Sequence, residues 1–126
     1  MKLEKDLIRK IMLALEASEH DPRSALKTEI DGNSKKISYH VQLLDEAGLI
    51  EASNHSFMGP NGYQWKPKRL TYRGHEFLDT IRDEEVWRRT KAGVTKMGGA
   101  SIELLWEIGK AYGKQVAQEK LGIVFD

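Results

Sequence analysis

Residues 33 to 52 read NSKKISYHVQLLDEAGLIEA, and the fold turns on this stretch. Ile37, Val41, Leu44 and Ala47 recur at helical spacing on one face, with His40 and Leu43 beside them. The turn Asp31-Gly32-Asn33-Ser34 sets N-cap side chains immediately ahead of that stripe, so a helix begins there. Gly48 can take the left-handed conformation that closes a helix, and Leu49-Ile50 leads straight into extended chain. Extended segments over residues 49–57 and 63–71, the second with alternating Tyr63 and Trp65, are parted by Met58-Gly59-Pro60-Asn61-Gly62 and predict a β-hairpin.

Upstream, Leu7, Ile8, Ile11, Met12 and Leu15 form the apolar stripe of an amphipathic helix over residues 5–18. The segment His20-Asp21-Pro22-Arg23 interrupts it, because proline cannot continue the hydrogen-bond ladder. In ALKTEI, residues 25–30, Leu26 and Ile30 alternate with polar residues around Thr28, which predicts a short strand. Downstream, Thr71 can cap a helix carrying Phe77, Leu78 and Ile81. Asp83, with Glu84 and Glu85, can cap a continuation carrying Val86 and Trp87, so this part is two short helices or one bent one. Gly93 to Gly99 reads as a hinge or loop, and Ser101 opens a last amphipathic helix that runs to about Leu121. Within it Gly109, Gly113 and Ala117 recur at every fourth position beside Trp106 and Tyr112. Such a smooth strip serves close helix packing, inside one chain or between two copies.

A length of 126 residues fits one compact domain, here divided into residues 1–82 and a helical extension over 83–126 packed on it. There is no cysteine, which excludes disulfides, thiolate metal sites and cysteine nucleophiles. No apolar run approaches the roughly 18 residues of a membrane span, so no membrane partner is expected. The start MKLEKDLIRKIM lacks a signal-peptide core and points to a cytoplasmic location. The formal net charge is only +1, but it is unevenly spread. Residues 33–75 carry 6 basic and 3 acidic side chains, whereas residues 1–32 carry 6 and 7 and residues 76–126 carry 8 and 9. The basic third coincides with the central helix and the hairpin.

The predicted order of helix, short strand, helix and hairpin, followed by C-terminal helices, is an α+β and mostly α arrangement of the winged-helix kind. NSKKISYHVQLLDEAGLIEA resembles the corresponding part of ArsR-type winged-helix repressors. That resemblance implies a recognition helix for the DNA major groove, with Ser34, Lys35, Lys36, Ser38, Tyr39 and Gln42 at outward positions and the hairpin as the wing. A longer resemblance, carried by DLIRKIM at residues 6–12, ISYHVQLLDEAGLI at 37–50 and LTYRGHEFLDTIRDEEVW at 70–87, is to a family of small bacterial and phage proteins of unknown function. In place of the usual second core helix this chain has the strand-like ALKTEI.

On this basis Lys35, Lys36, Lys66, Lys68 and Arg69 would neutralise phosphates, while Ser38, Tyr39 and Gln42 could reach base edges. Trp65 and Tyr63 would stack on a ligand or anchor the hairpin to the body. The histidines at 20, 40, 55 and 75 lack the spacing of a metal site, and no cofactor is expected. Ser38 and His40 stand two apart, on different helix faces, with no nucleophile-elbow motif. GKAYGK at 109–114 lacks the spacing and the Ser or Thr of a phosphate loop. The expectation is therefore a non-enzymatic DNA-binding protein, a small bacterial or prophage transcription regulator acting on double-stranded DNA, with the last helix as a homodimer element. The alternative is a winged helix turned to binding a host or phage protein.

Overall fold

A computed structural model describes residues 1–122 and 124. The described chain is α+β and mostly helical. In order it forms α1 (Lys5–Ala17), α2 (Ser34–Glu46), β1 (Ile50–Asn54), β2 (Trp65–Leu70), α3 (Tyr72–Ile81), α4 (Glu84–Lys96) and α5 (Ile102–Leu121). It divides into two compact units, Met1–Glu76 and Phe77–Asp126.

In the first unit, α1 buries Ile8, Ile11, Met12 and Leu15, a stripe of the i, i+3, i+4, i+7 kind. Glu4, at its N-cap position, makes no side-chain cap. Its backbone N–H instead donates to Nε2 of the buried His40 at 2.8 Å. The other ring nitrogen, Nδ1, lies 2.8 Å from the Lys36 carbonyl oxygen. A carbonyl only accepts, so Nδ1 carries the proton and Nε2 is the acceptor.

Asn33 starts α2 by accepting the Lys36 N–H on Oδ1 at 3.0 Å. The helix closes with Gly48 at φ 75°, while the Leu49 N–H bonds to the Leu44 carbonyl at 3.0 Å and the Gly48 N–H to Asp45 at 3.0 Å. This pair of bonds is a Schellman ending. Thr71 then fastens α3 to it. The Thr71 hydroxyl donates to the Gly48 carbonyl at 2.6 Å and accepts the Gly74 N–H at 3.0 Å.

The strands β1 and β2 pair antiparallel, with Ile50 opposite Leu70, Glu51 opposite Arg69 and Asn54 opposite Trp65, and an irregularity after Glu51. They are shorter than the extended segments read from the sequence. Two further bonds, His55 N–H to Gln64 at 2.7 Å and Phe57 N–H to Gly62 at 2.8 Å, carry the pairing to the turn.

The strand expected over residues 25–30 does not form, and no second helix stands between α1 and α2. Leu26 makes one ladder-like bond, its N–H to the Pro67 carbonyl at 2.8 Å. In a strand the N–H and C=O of one residue face the same edge, so the donor that would answer this bond is the one proline lacks. At the register irregularity beside it, the Lys68 carbonyl is taken by Nε2 of His20 at 2.6 Å. The same contacts shield the outer edge of β2 from pairing with another chain.

In the second unit the expected choice between a bent helix and two helices resolves into two. Asp83 accepts the Val86 N–H at 3.0 Å and starts α4. Gly93, expected in a hinge, lies inside α4, where a Cβ would stand 3.1 Å from the Tyr112 hydroxyl. The helix ends at Lys96, and Gly98 and Gly99 make the turn at φ 79° and 120°. Ser101 caps α5 through the Leu104 N–H at 3.2 Å. Phe77 and Trp106 meet edge to face at 5.3 Å, and the Trp106 indole N–H reaches the Thr80 hydroxyl at 3.2 Å. Arg89 joins α4 to α5 by pairing with both Glu85 and Glu119 at 2.8 Å.

Candidate nucleic-acid interface

The first turn of α2 is open to solvent. Ser34 and Lys35 are exposed, and the nearby N–H of Lys36 is already satisfied by Asn33. Lysine at a helix N-terminus opposes the dipole, so Lys35 gains nothing locally from standing there. Lys36 turns back to Glu4 at 3.2 Å, a half-exposed pair of small energetic weight. Tyr39 is half-buried against His40, ring centroids 6.0 Å apart.

Ser38 departs from the outward placement the sequence suggested. It is 3% exposed, and its Oγ accepts the Trp65 N–H at 3.2 Å. It therefore binds the hairpin to α2 and is turned away from bulk solvent. Gln42 is half-buried and similarly engaged: its Oε1 accepts the Tyr63 hydroxyl, and its Nε2 reaches Glu46 at 3.5 Å. Burial raises the Tyr63 hydroxyl above the ordinary tyrosine range, which keeps it a donor. Tyr63 and Trp65 thus both hold the hairpin against the helix, one by its side chain and one by its backbone.

On β2, Lys66 is exposed and Lys68 half-buried. Arg69 is spoken for. It grips the Glu51 carboxylate with two bonds at 3.0 and 2.7 Å across the register and also reaches the Leu70 carbonyl at 3.1 Å. The Arg69 guanidinium holds the Glu51 carboxyl below its ordinary value. Among the described residues Lys35, Lys66 and Lys68 have no salt-bridge partner. Between Glu51 and Glu76 the chain has no aspartate or glutamate, so Glu51, which Lys68 also helps to keep ionised, is the hairpin's one carboxylate.

The helix start and the hairpin turn share one shallow cavity of about 310 Å³, lined by Ser34, Lys35, Gly59, Asn61, Gly62, Tyr63 and Gln64. A second groove of about 560 Å³ opens between residues 25–32, α2 and β2, on the side where no second core helix stands. The sequence reading missed the turn residues Phe57 and Met58, which are 60% and 97% exposed. Their position beside Gly59-Pro60 was the available signal.

The strip on α5 divides into two parts. Trp106, Gly109 and Tyr112 pack inside the second unit, where a Cβ on Gly109 would meet Thr80 at 3.2 Å. Nothing lies within 4 Å of a Cβ on Gly113, which with Ala117 floors a largely apolar groove of about 520 Å³. Among the described residues no three histidine or acidic side chains gather as metal ligands, and no helix is long and apolar enough to cross a membrane.

Over 122 residues the chain is 36% identical to an uncharacterized protein of Haemophilus influenzae, covering 96% of this chain and 99% of that one. No solved structure matches it. The family model described as hypothetical protein (DUF2513) matches residues 2–101, and the chain belongs to that family.

Proposed function

We propose that this protein is a non-enzymatic, winged-helix type DNA-binding protein that acts as a small bacterial or prophage transcription regulator. In this reading α2 enters the major groove and the hairpin follows the flanking backbone. The observation that carries it is the set of lysines without salt-bridge partners, Lys35 on α2 with Lys66 and Lys68 on β2, on two elements fixed to each other through Ser38 and Gln42. Ser34, Tyr39 and the amide end of Gln42 are the remaining base-edge candidates. Lys36 reaches phosphate by exchanging its weak pair with Glu4, and Arg69 contributes only as half of an ion pair.

The working unit in this reading is a homodimer joined through α5. The groove floored by Gly113 and Ala117 carries Asp79 and Asp83 along with Lys110, Lys114 and Lys120. A two-fold axis would set the acidic side chains of one copy against the basic ones of the other, which makes a second copy the fitting occupant. About four phosphate contacts per protomer predict a salt slope in logarithmic affinity of about −3.6 for one protomer and about −7 for the dimer. Fluorescence anisotropy of a random-sequence duplex pool at two salt concentrations tests the reading. Salt-sensitive binding that is lost in Lys35→Glu with Lys66→Glu supports it, and no binding at low salt overturns it.

A further inference from the structure

We infer that the hairpin turn is an apolar wedge that enters the minor groove of a duplex seated on α2 and unstacks a base step. This rests on the DNA-binding reading above. Met58 and Phe57 are adjacent and 97% and 60% exposed, the largest apolar side chains on the hairpin left in water. A single exposed apolar residue is ordinary, but two side by side at an apex gain nothing there without a partner.

The apex that carries them is closely built. The Phe57 N–H bonds to Gly62 at 2.8 Å and the Gly62 N–H to Gly59 at 3.2 Å. A Cβ on Gly62 would lie 1.9 Å from the Phe57 carbonyl oxygen, so only glycine permits this crossing. Gly59 at φ 112° and Asn61 at φ 58° complete a turn that ordinary residues rarely adopt. The turn's backbone thus sets where the two apolar side chains emerge before any ligand arrives.

Charge selects the partner. The hairpin lacks carboxylates beyond Glu51, and the lysines of β2 have no salt-bridge partners, so the ligand is anionic. Place selects further. The apex lines the same cavity as Ser34 and Lys35, which puts it beside whatever α2 engages. A rigid apolar tip between cationic contacts fits a duplex, whose base steps open to Phe and Met wedges and whose axis then bends. Stable attachment to an anionic bilayer needs a broader apolar face than two side chains provide.

The test uses an end-labelled duplex of about 25 base pairs with 2-aminopurine in a central TA step, the step that unstacks most easily. The wild type is expected to raise 2-aminopurine fluorescence and to shorten the end-to-end distance read by energy transfer. Phe57→Ala with Met58→Ala loses both signals and about tenfold in affinity while keeping the salt slope. Both residues are solvent-exposed, so thermal melting of the variant should match the wild type. Wild-type binding with neither signal overturns the wedge and leaves the DNA reading intact. Absence of salt-sensitive binding by the wild type overturns both. Phosphatidylserine vesicle binding that the double variant loses, with its DNA signals unchanged, overturns the wedge in favour of a membrane.

Discussion

Gly74→Ala is expected to destabilise the protein even though it replaces glycine by the best helix former. In an exposed helix interior that exchange gains up to about 1 kcal/mol. Here the new Cβ would stand 1.9 Å from the Leu49 carbonyl oxygen and 2.9 Å from its carbon, both backbone atoms that no side-chain rotation can move. Relief requires the first turn of α3 to retreat by about 1 Å, and overpacking of this kind costs about 1–3 kcal/mol. Three hydrogen bonds hold that turn. They are Thr71 N–H to Leu49 at 3.1 Å, Thr71 hydroxyl to Gly48 at 2.6 Å and Gly74 N–H to Thr71 at 3.0 Å. At about 1 kcal/mol each, less the propensity gain, their loss is worth about 2 kcal/mol, or a fall in Tm of about 6–10 °C for a chain of this size. The control is Gly113→Ala, also helical but with no atom of the same chain within 4 Å of the new Cβ, which should gain about 0.5–1 kcal/mol at a protein concentration low enough to keep the chain monomeric. Urea denaturation followed by far-UV circular dichroism measures both. A Gly74→Ala variant as stable as the wild type, or more so, would refute the reasoning.

His40→Leu keeps a side chain of similar bulk but removes the acceptor of the Glu4 N–H, and should cost about 1–2 kcal/mol in the same assay, with hydrogen exchange accelerating at the start of α1. Ser38→Ala strips the Trp65 N–H of its partner and should cost about 1–3 kcal/mol while leaving the salt slope of DNA binding unchanged; a loss of slope would return Ser38 to the interface. The Glu85 carboxyl is held at about 2 by Arg88 and Arg89 against an ordinary 4.5. Because its folded value is depressed, its contribution is complete above 4.5 and disappears as pH falls from there through 2, so the Tm deficit of Glu85→Gln should be present near neutrality and close over that window. A deficit independent of pH would count against the ion pairs.

Most helix starts, and the end of α2, were legible because caps are local chemistry. Asn33, Asp83 and Ser101 each accept an N–H three residues on, and Gly48 closes α2 with the positive φ expected of it. What escaped depends on residues distant in sequence. The alternation in ALKTEI suits a strand, but whether it pairs was decided forty residues later by Pro67, which offers an acceptor and no donor. The resemblance to winged-helix repressors implied an outward Ser38, whereas the hairpin covers it. Gly93 resembled a hinge because glycine is read as a breaker, whereas its smallness makes room for Tyr112 from the neighbouring helix. For the proposed interface, Lys35, Lys66 and Lys68 could be chosen from the sequence, but the neutralisation of Arg69 by Glu51 followed only from strand register.

Amide chemical-shift mapping of the full chain against a random-sequence duplex pool locates any DNA contact residue by residue. The proposed function predicts salt-sensitive shifts over residues 33–42 and 57–68, with α5 shifts unchanged when DNA is added at constant protein concentration. Shifts confined to α5, or none at low salt, would contradict it.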